Sequence, residues 1–575
     1  MQWVFSNQAV EPWLEKFCVQ HGLSQAIAPL LAQKGFSDAK SLGHFLYPRL
    51  RNVEPPEAIQ NLSIAVKTLD DACKQGKSIA IVSDYDVDGV TSMALFYHGF
   101  KALNFSFTHF FPDREKEGYG LTVKVVQRIL DTKQHFDILV SLDCGTNSVE
   151  AVQLLNENHI QVIIVDHHQQ TCSELPNAII VNPHVHPEKH SESAKYLCTA
   201  GLAFKWLHLW LKQLKDEGYE PALDLKMKPF LDLVALGTVA DIVPLKEENR
   251  LLVHFGLKQM RRTKYVGMND LLNVSGIHKD IPIPADAVAF QMAPRINASG
   301  RLNSAEQPFR LLTTDDRAES FDIAYYLNEL NEERQAIEKR ICEEAEVMIA
   351  EKPHQYAYVL YKPSWHIGVV GIVAGRLSRK YNCPVVVLGE QNGMLRGSGR
   401  SVPAVNLVEL FTASDAFIAQ WGGHPGATGL SLNKDNLAPL EQCFNQYLQE
   451  KFPEGLPEAI LNICATIQGT QISEKLLEDI ELLEPFGQEN EKPVFVIPKV
   501  ILHNLPERFG KQRNHIRFKI GTSSIIGWNL DVHALPLHTS LDLAVQFSWS
   551  YWQGRRFVQI VLVDWKKKGE CLISS

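Results

Sequence analysis

Nowhere in the 575 residues do two of the ten cysteines form a C-x-x-C pair. That speaks against a zinc ribbon, and the scatter fits reduced, mostly buried thiols better than a disulfide frame. No apolar run approaches the ~18 residues that a membrane span requires. The opening MQWVFSNQAVEPWLEKF has no basic stretch followed by an apolar one, so we expect no signal peptide, no membrane association and a cytoplasmic location. Positive charge is in short supply: the net charge is −9, which argues against a protein that coats nucleic acid indiscriminately. Internal repeats and low-complexity segments are also absent. Against the acidic background, residues 501–575 hold ten Lys/Arg and five Asp/Glu, an asymmetry that permits a nucleic-acid surface there.

What is present is ordinary globular material, 45% hydrophobic and 21% charged, long enough for several domains. Residues 1–60 read as a helical extension ending in FLYPRLRNVEPPEAI. From about Ser78, SIAIVSDYD, FDILVSLDCGT and QVIIVDHHQQ each set an apolar run before polar residues, with helical stretches between. That is the rhythm of a parallel sheet buried on both faces. AIIVNPH reads as a further strand, while DLVALGTVADIVPL is apolar throughout, and periodicity cannot separate helix from strand. Residues 317–352 predict one long helix with no Gly or Pro before Pro353. A second, smaller α/β pattern occupies 353–452. Short alternating runs within 458–575 predict antiparallel strands in a small barrel or sandwich. The fold class is thus α/β: a parallel-sheet domain over 61–316, a connecting helix, a second α/β domain, and a C-terminal β domain.

The strongest feature is Asp84-Tyr85-Asp86-Val87-Asp88-Gly89 directly after a strand. Three carboxylates within five residues repel one another unless a cation neutralises them. The next strand ends in Asp143 and the third in Asp166-His167-His168. Ligands of open parallel sheets bind at the carboxyl ends of the strands, so these groups should converge. Asp241 is a fourth candidate acid, a lone charge in an apolar stretch. Oxygen and imidazole donors suit magnesium, manganese or zinc, and two such ions can clamp a phosphate and activate water. The D-x-D-x-D-G string also opens an EF-hand loop, but that loop needs Glu at its twelfth position, here Leu95. Single acids can cap helices, which does not account for three in one loop beside two histidines. His184 and His186 are weaker candidates for the site; His208, His254 and His278 read as ordinary surface or core residues.

The ordered set SDYDVDGVTS, SLDCGT, VDHHQQ and GTVADIVPL resembles the four motifs of the DHH phosphoesterases. PDREKEGYGL, APRINASGRL, GSGRS and WGGHPGATGL extend the resemblance along essentially the whole chain, toward the superfamily's single-strand-specific exonucleases. The resemblance implies 5′→3′ hydrolysis of single-stranded DNA to 5′-mononucleotides with two Mg²⁺ or Mn²⁺ ions, in DNA repair and recombination. It places Asp84, Asp86, Asp88, Asp143, His167 and Asp241 around the metals, with Asp143 bridging. His168 would touch the scissile phosphate and Asp166 would orient it. Arg114, Arg295, Arg301, Ser398, Arg400 and Gly422-Gly423-His424 become candidates for holding the strand's phosphates. The second α/β domain resembles the DHH-associated domain and the last an OB-fold, whose strand-binding residues would come from Arg513, Arg517, Phe518, Trp528, Trp552, Arg555 and Arg556. The basic run Lys566–Lys568 reads as a solvated tail. The strand is expected to thread between the two α/β domains, in a channel too narrow for a duplex. The resemblance further implies a helicase and a single-strand binding protein as partners, and a monomer is expected. Two other readings stand beside this one: a phosphodiesterase for short oligonucleotides or cyclic dinucleotides, and a DNA-binding scaffold without activity.

Overall fold

The computed structural model describes every residue except 6–8, 115, 303, 511, 522, 553 and 569–575, and the side chain of Trp552 also lies outside the described residues. The apolar runs after Ser78 form β1 (Ile79–Ser83), β2 (Thr108–Phe110), β3 (Ile138–Leu142), β4 (Gln161–Val165) and β5 (Ile179–Val181). All pair in parallel, in the order β2-β1-β3-β4-β5. Helices α1 (Val87–Ala102), α2 (Val123–Asp131), α3 (Val149–Glu157) and α4 (Thr199–Asp216) cover the sheet. Alternate strand residues face opposite sides. Ile81, Val140 and Ile163 pack in one core with α1 and α4, and Ala80, Leu139 and Val162 in another with α2 and α3. Burial on both faces explains why the strands read as unbroken apolar runs.

The ambiguous stretch is a helix, α5 (Leu231–Ala240), buried at every position from Leu231 to Val239; a helix with no solvent face has no periodicity to read. APRINASGRL forms α6 (Ala293–Leu302), and the predicted connector is α7 (Arg317–Glu351), a single helix of 35 residues. Beyond it lie β6 (Tyr358–Tyr361), α8 (Val370–Tyr381), β7 (Val385–Gln391), β8 (Met394–Arg400), β9 (Gln420–His424) and β10 (Ala427–Leu432). They make a mixed sheet, β9-β10-β8-β7-β6, in which only β6 and β7 run parallel.

The C-terminal strands are β11 (Phe495–Ile501), β12 (Glu507–Phe509), β13 (His515–Ile520), β14 (Ser523–Gly527), β15 (Ser540–Trp552) and β16 (Arg555–Lys567), ordered β11-β15-β16-β14-β13-β12. Pairing among them is antiparallel, as expected, except that β14 and β16 run parallel. The basic run is not a tail, since Lys566 and Lys567 belong to β16, opposite Asp542 and Leu541, but Lys567 and Lys568 are exposed as expected. Residues 1–60 contain helices but begin with a strand, Gln2–Phe5, that pairs in parallel with Ile460–Ile463. Leu14, Phe17 and Leu31 share a core with Leu476 and Phe495, so the extension docks on the C-terminal region. Arg250 ties both to the first domain, donating to the carbonyls of Phe45 (2.6 Å), Leu482 (2.9 Å) and Glu484 (2.7 Å). All nine cysteines among the described residues are free, and no helix among those residues is long and apolar enough to cross a membrane.

Candidate metal centre and the arginines beside it

The acids sit where the sheet ends. Asp86 caps α1, accepting from the Gly89 N–H at 3.1 Å. Gly89 must be glycine, because a Cβ there would lie 2.3 Å from the Asp84 carbonyl oxygen. Asp143 follows β3 with φ +62°, a left-handed conformation that Asp tolerates better than most residues. His167 Nε2 lies 3.4 Å from Asp143 Oδ1, 3.4 Å from Asp241 Oδ2 and 3.7 Å from Asp88 Oδ2. Three overlapping sets each bring their ligand atoms within 4.8 Å: Asp84/Asp86/Asp143, Asp143/His167/His168 and Asp88/His167/Asp241. Asp143 and His167 each belong to two sets.

Several of these atoms have nothing to bond. Both oxygens of Asp84, Oδ2 of Asp143 and of Asp241, and Nε2 of His167 are buried without a hydrogen-bond partner. Leaving such groups unpaired in the interior is costly. Burial first, and then the neighbouring carboxylates, push the pKa values of Asp84, Asp86, Asp143 and Asp241 up. Burial pulls that of His167 down, toward the neutral imidazole that a metal needs. A converging set of orphaned hard donors fits divalent cations.

The remaining groups hold the set in place. Asp88 accepts from the first backbone N–H groups of α4, Thr199 at 2.7 Å and Ala200 at 2.8 Å, where the helix dipole favours an anion. The Thr199 hydroxyl donates to Asp143 Oδ1 at 3.0 Å. Neither Thr199 nor Ala200 was anticipated: nothing local in LCTAGL says which acid a helix start will meet. Asp166 Oδ1 accepts from the His168 ring Nδ1 at 2.7 Å and from the backbone of His167 (2.8 Å) and His168 (3.1 Å), and Oδ2 accepts from the Thr146 N–H at 3.1 Å. Burial opposes ionisation, but the His168 and Thr146 bonds win and hold this carboxyl well below the usual range. Burial likewise opposes a charged His168; the hydrogen bond and charge of Asp166 outweigh it and raise the pKa to about 9. Tyr119 OH meets His168 Nε2 at 2.9 Å. We expect Asp166→Asn to cut hydrolysis by roughly 10–100-fold, as lost outer support of a metal site does, and to move the alkaline limb of the pH profile down as His168 loses its counter-charge. An unchanged profile with unchanged rate would remove Asp166 from the machinery.

Arginines gather against the acidic loop. Arg301 is half-buried and donates to the Gly368 carbonyl at 3.1 Å; burial and then Arg114, Arg334 and Arg400 bring its pKa down to about 10. Arg114 lies over the Tyr85 ring at 5.6 Å, and the end of α6 seats so close that a Cβ on Gly300 would fall 2.9 Å from the Tyr85 carbonyl oxygen. Arg114, Arg301 and Arg400 have no ion-pair partner among the described residues, whereas Arg334, which sequence reasoning missed, pairs with Glu338 at 2.7 Å. Arg400 donates to the Ser398 hydroxyl and to the Gly399 carbonyl at 2.9 Å, beside Gly371 at the start of α8. Ser398, Gly429 and Gly422 stand in one cross-strand row. Gly422, Gly423 and His424 lie on the edge strand β9, where a Cβ on Gly423 would meet the Ala427 oxygen at 2.3 Å. Arg295 is turned to protein instead: it donates to the Val274 carbonyl and Asn328 Oδ1, both at 3.0 Å, which clamps α6 to its neighbours. His184 sits near enough to His167 and His168 for their charges to add to burial in lowering its pKa; His186 faces Glu188 at 3.9 Å.

On the barrel, Phe518 is corrected to core. It is 8% exposed, because alternation along β13 turns Ile516 and Phe518 inward and Arg517 and Lys519 outward. Trp528 is 48% exposed and groups with His515 (4.8 Å) and Phe509 (5.7 Å). Arg517 pairs with Glu507 at 2.9 Å, and Arg556 pairs with Glu478 while covering Trp549 at 4.2 Å. Arg513 and Arg555 are exposed.

Three family models match the chain in order: the DHH family N-terminal domain over residues 78–238, the DHHA1 domain over 352–450 and the RecJ OB domain over 465–564. The single-stranded-DNA-specific exonuclease RecJ of Bacillus subtilis strain 168 is 31% identical over 557 residues, 94% of this chain and 68% of that protein. The chain belongs to the RecJ family. RecJ of Escherichia coli K12 is 31% identical over 560 residues, 93% of this chain and 94% of its own length. The crystal structure of Thermus thermophilus RecJ in complex with Mn²⁺ matches with a TM-score of 0.82 at 27% identity, covering 98% of this chain and 79% of that one. Its Mg²⁺ complex matches at 0.77 and 26%, covering 99% and 79%. The DHH match stops at residue 238, so the fourth acid, Asp241, stands just beyond it.

Proposed function

We propose that this RecJ-family chain is a metal-dependent, single-strand-specific exodeoxyribonuclease that takes DNA from its 5′ end and releases 5′-mononucleotides, in repair and recombination. The observation that carries the reading is the junction of two opposite sites: orphaned metal donors at the strand ends and unneutralised guanidinium groups against the same loop. Asp84, Asp86, Asp88, Asp143, His167 and Asp241 would hold two Mg²⁺ or Mn²⁺ ions. Such ions supply Lewis-acid polarisation of the phosphoryl oxygen and lower the pKa of water. The chain's own groups do the rest. Thr199 and the start of α4 keep Asp88 and Asp143 aimed. Asp166 fixes the orientation of His168 and favours its charged form, and that ring donates to the scissile phosphate. Arg114, Arg301 and Arg400, with Ser398, hold the 5′-terminal phosphate, and the bare backbone of Gly422 and Gly423 lets the strand approach β9. Trp528 offers a stacking face on the barrel.

End-labelled single strands test this. With Mn²⁺, a 5′ label should leave as mononucleotide at once while a 3′ label stays on shortening strands; the reverse order sinks the polarity. Arg400→Ala should raise KM for a 5′-phosphorylated strand by roughly 10–100-fold, the ~1.5–3 kcal/mol of a hydrogen bond to a charged group, with a smaller effect on a 5′-hydroxyl strand. Exclusive cleavage of short or cyclic dinucleotides by the wild type would favour the small-substrate phosphodiesterase instead.

A further inference from the structure

The guanidinium groups beside the acidic loop come from two domains. Arg114 and Arg301 belong to the first, Arg400 and its Ser398 partner to the second. A phosphate gripped by both halves keeps a set distance from the metal centre only while the halves stay in register. α7 joins the domains, but it runs 35 residues, ~50 Å at 1.5 Å per residue, and helices of that length bend. The register has to be fixed nearer the site.

The turn of residues 365–369, ahead of α8, meets the end of α6 there. Arg301 Nη1 donates to the Gly368 carbonyl at 3.1 Å, and a Cβ on Gly368 would lie 2.7 Å from the Arg301 carbonyl oxygen. The two backbones touch, and only glycine leaves room. Leu302 follows, with its side chain packed on the cluster of Trp365, Val369 and Ile341. The turn is also held to its own domain. Trp365 Nε1 donates to Glu344 of α7 at 2.6 Å, the Gly368 N–H donates to His366 Nδ1 at 3.1 Å, and the Trp365 carbonyl oxygen would lie 2.2 Å from a Cβ on Gly389 of β7. Three residues on, a Cβ on Gly371 would come within 3.3 Å of Arg400 and 3.4 Å of Ser398. At the far side of Arg301, Gly300 abuts the Tyr85 carbonyl oxygen, between two of the acids. The acidic loop, the end of α6, the turn and Arg400 therefore form one continuous stack of close contacts.

We propose that Gly368 is a positioning residue: its bare backbone sets the register between the two halves of the arginine group, and with it the distance from the 5′-terminal phosphate to the metal centre. This rests on the exonuclease reading above and deepens it. A methyl group at 2.7 Å stands roughly 1 Å inside ordinary contact distance, and backbone, not a flexible side-chain tip, has to give way. Misplacement on that scale between a held group and the chemistry costs up to ~100-fold in rate.

Digestion with Mn²⁺ of one single strand, carrying either a 5′ phosphate or a 5′ hydroxyl, tests this. In Gly368→Ala, kcat on the phosphorylated strand should fall by up to ~100-fold with KM little changed, because the phosphate is still gripped while the bond to be cut is out of place. The hydroxyl strand has no terminal phosphate for the arginines to hold and should be cut as by wild type. Leu302→Ala slackens the same joint without adding an atom and should show the same split more weakly; it decides the matter if Gly368→Ala does not fold. Gly375→Ala, one turn further along α8, where a Cβ meets only Arg400 Cγ at 3.6 Å, should match wild type on both strands. Equal loss on both strands, or loss on neither, overturns the proposal. Wild-type protein that leaves single strands undigested, or that cuts both at one rate, would defeat the underlying reading, a separate outcome.

Discussion

Asp143→Asn should lower kcat by on the order of 10³-fold, the several kcal/mol that metal ions contribute to a phosphoryl transition state, and at the same time should make the metal-free protein more stable. The two effects share one cause. Asp143 belongs to two of the three ligand sets, and burial followed by the charges of Asp88, Asp86 and Asp241 raises its pKa. Asn keeps the shape, tolerates φ +62° as well as Asp does, and still accepts from the Thr199 hydroxyl. What it removes is one of several mutually repelling charges. With metal chelated, a relief of ~1–2 kcal/mol corresponds to a Tm gain of about 2–4 °C per kcal/mol in a domain of this size. The check is a pair of melting curves with chelator and a digestion assay with Mn²⁺. Retained hydrolysis in Asp143→Asn would take the residue out of the centre; lost hydrolysis with a lowered Tm would point to a fold defect instead.

Metal binding should raise Tm, and more so at pH 8 than at pH 6. The carboxyl pKa values of Asp84, Asp143 and Asp241 are raised on folding. Groups shifted this way contribute stability that is full below their unfolded value, ~3.9, and is lost as pH rises through the folded value. His168, raised to about 9, works in the same direction between its unfolded value and pH 9. The metal-free chain should therefore lose stability as pH climbs from about 5 to 8. Mn²⁺ takes the place of the missing protons, so saturation flattens the slope. At a hundred times Kd the ion adds ~2.7 kcal/mol by mass action. Scanning calorimetry with and without Mn²⁺ at the two pH values measures it. An increment that is equal at both, or absent, means that these acids do not hold the ion.

The reach of the sequence differs from element to element. The aspartates at the strand ends were legible because an apolar run followed by acids is a local signal, and the rule for parallel sheets turns it into a place. DLVALGTVADIVPL was not legible, since α5 is buried all round. Phe518 and Trp528 looked alike as aromatics near basic residues; only the register of β13 separates the one that packs inward from the one left in the open. Arg295 and Arg301 stand in a single motif, yet they face different surroundings: Arg295 clamps Val274 and Asn328, while Arg301 donates to the Gly368 carbonyl at 3.1 Å and lies among three other arginines.

By itself the sequence determined the parallel sheet, the connecting helix, the acids that end the strands and the order of the domains, because each depends on residues close together in the chain. The tertiary structure alone decided that the start of α4 grips Asp88, that Arg334 joins Arg114, Arg301 and Arg400, and that residues 1–60 dock on the barrel's core. These are contacts between residues tens to hundreds of positions apart. No local propensity encodes them; they follow from how the packed elements bring distant surfaces together.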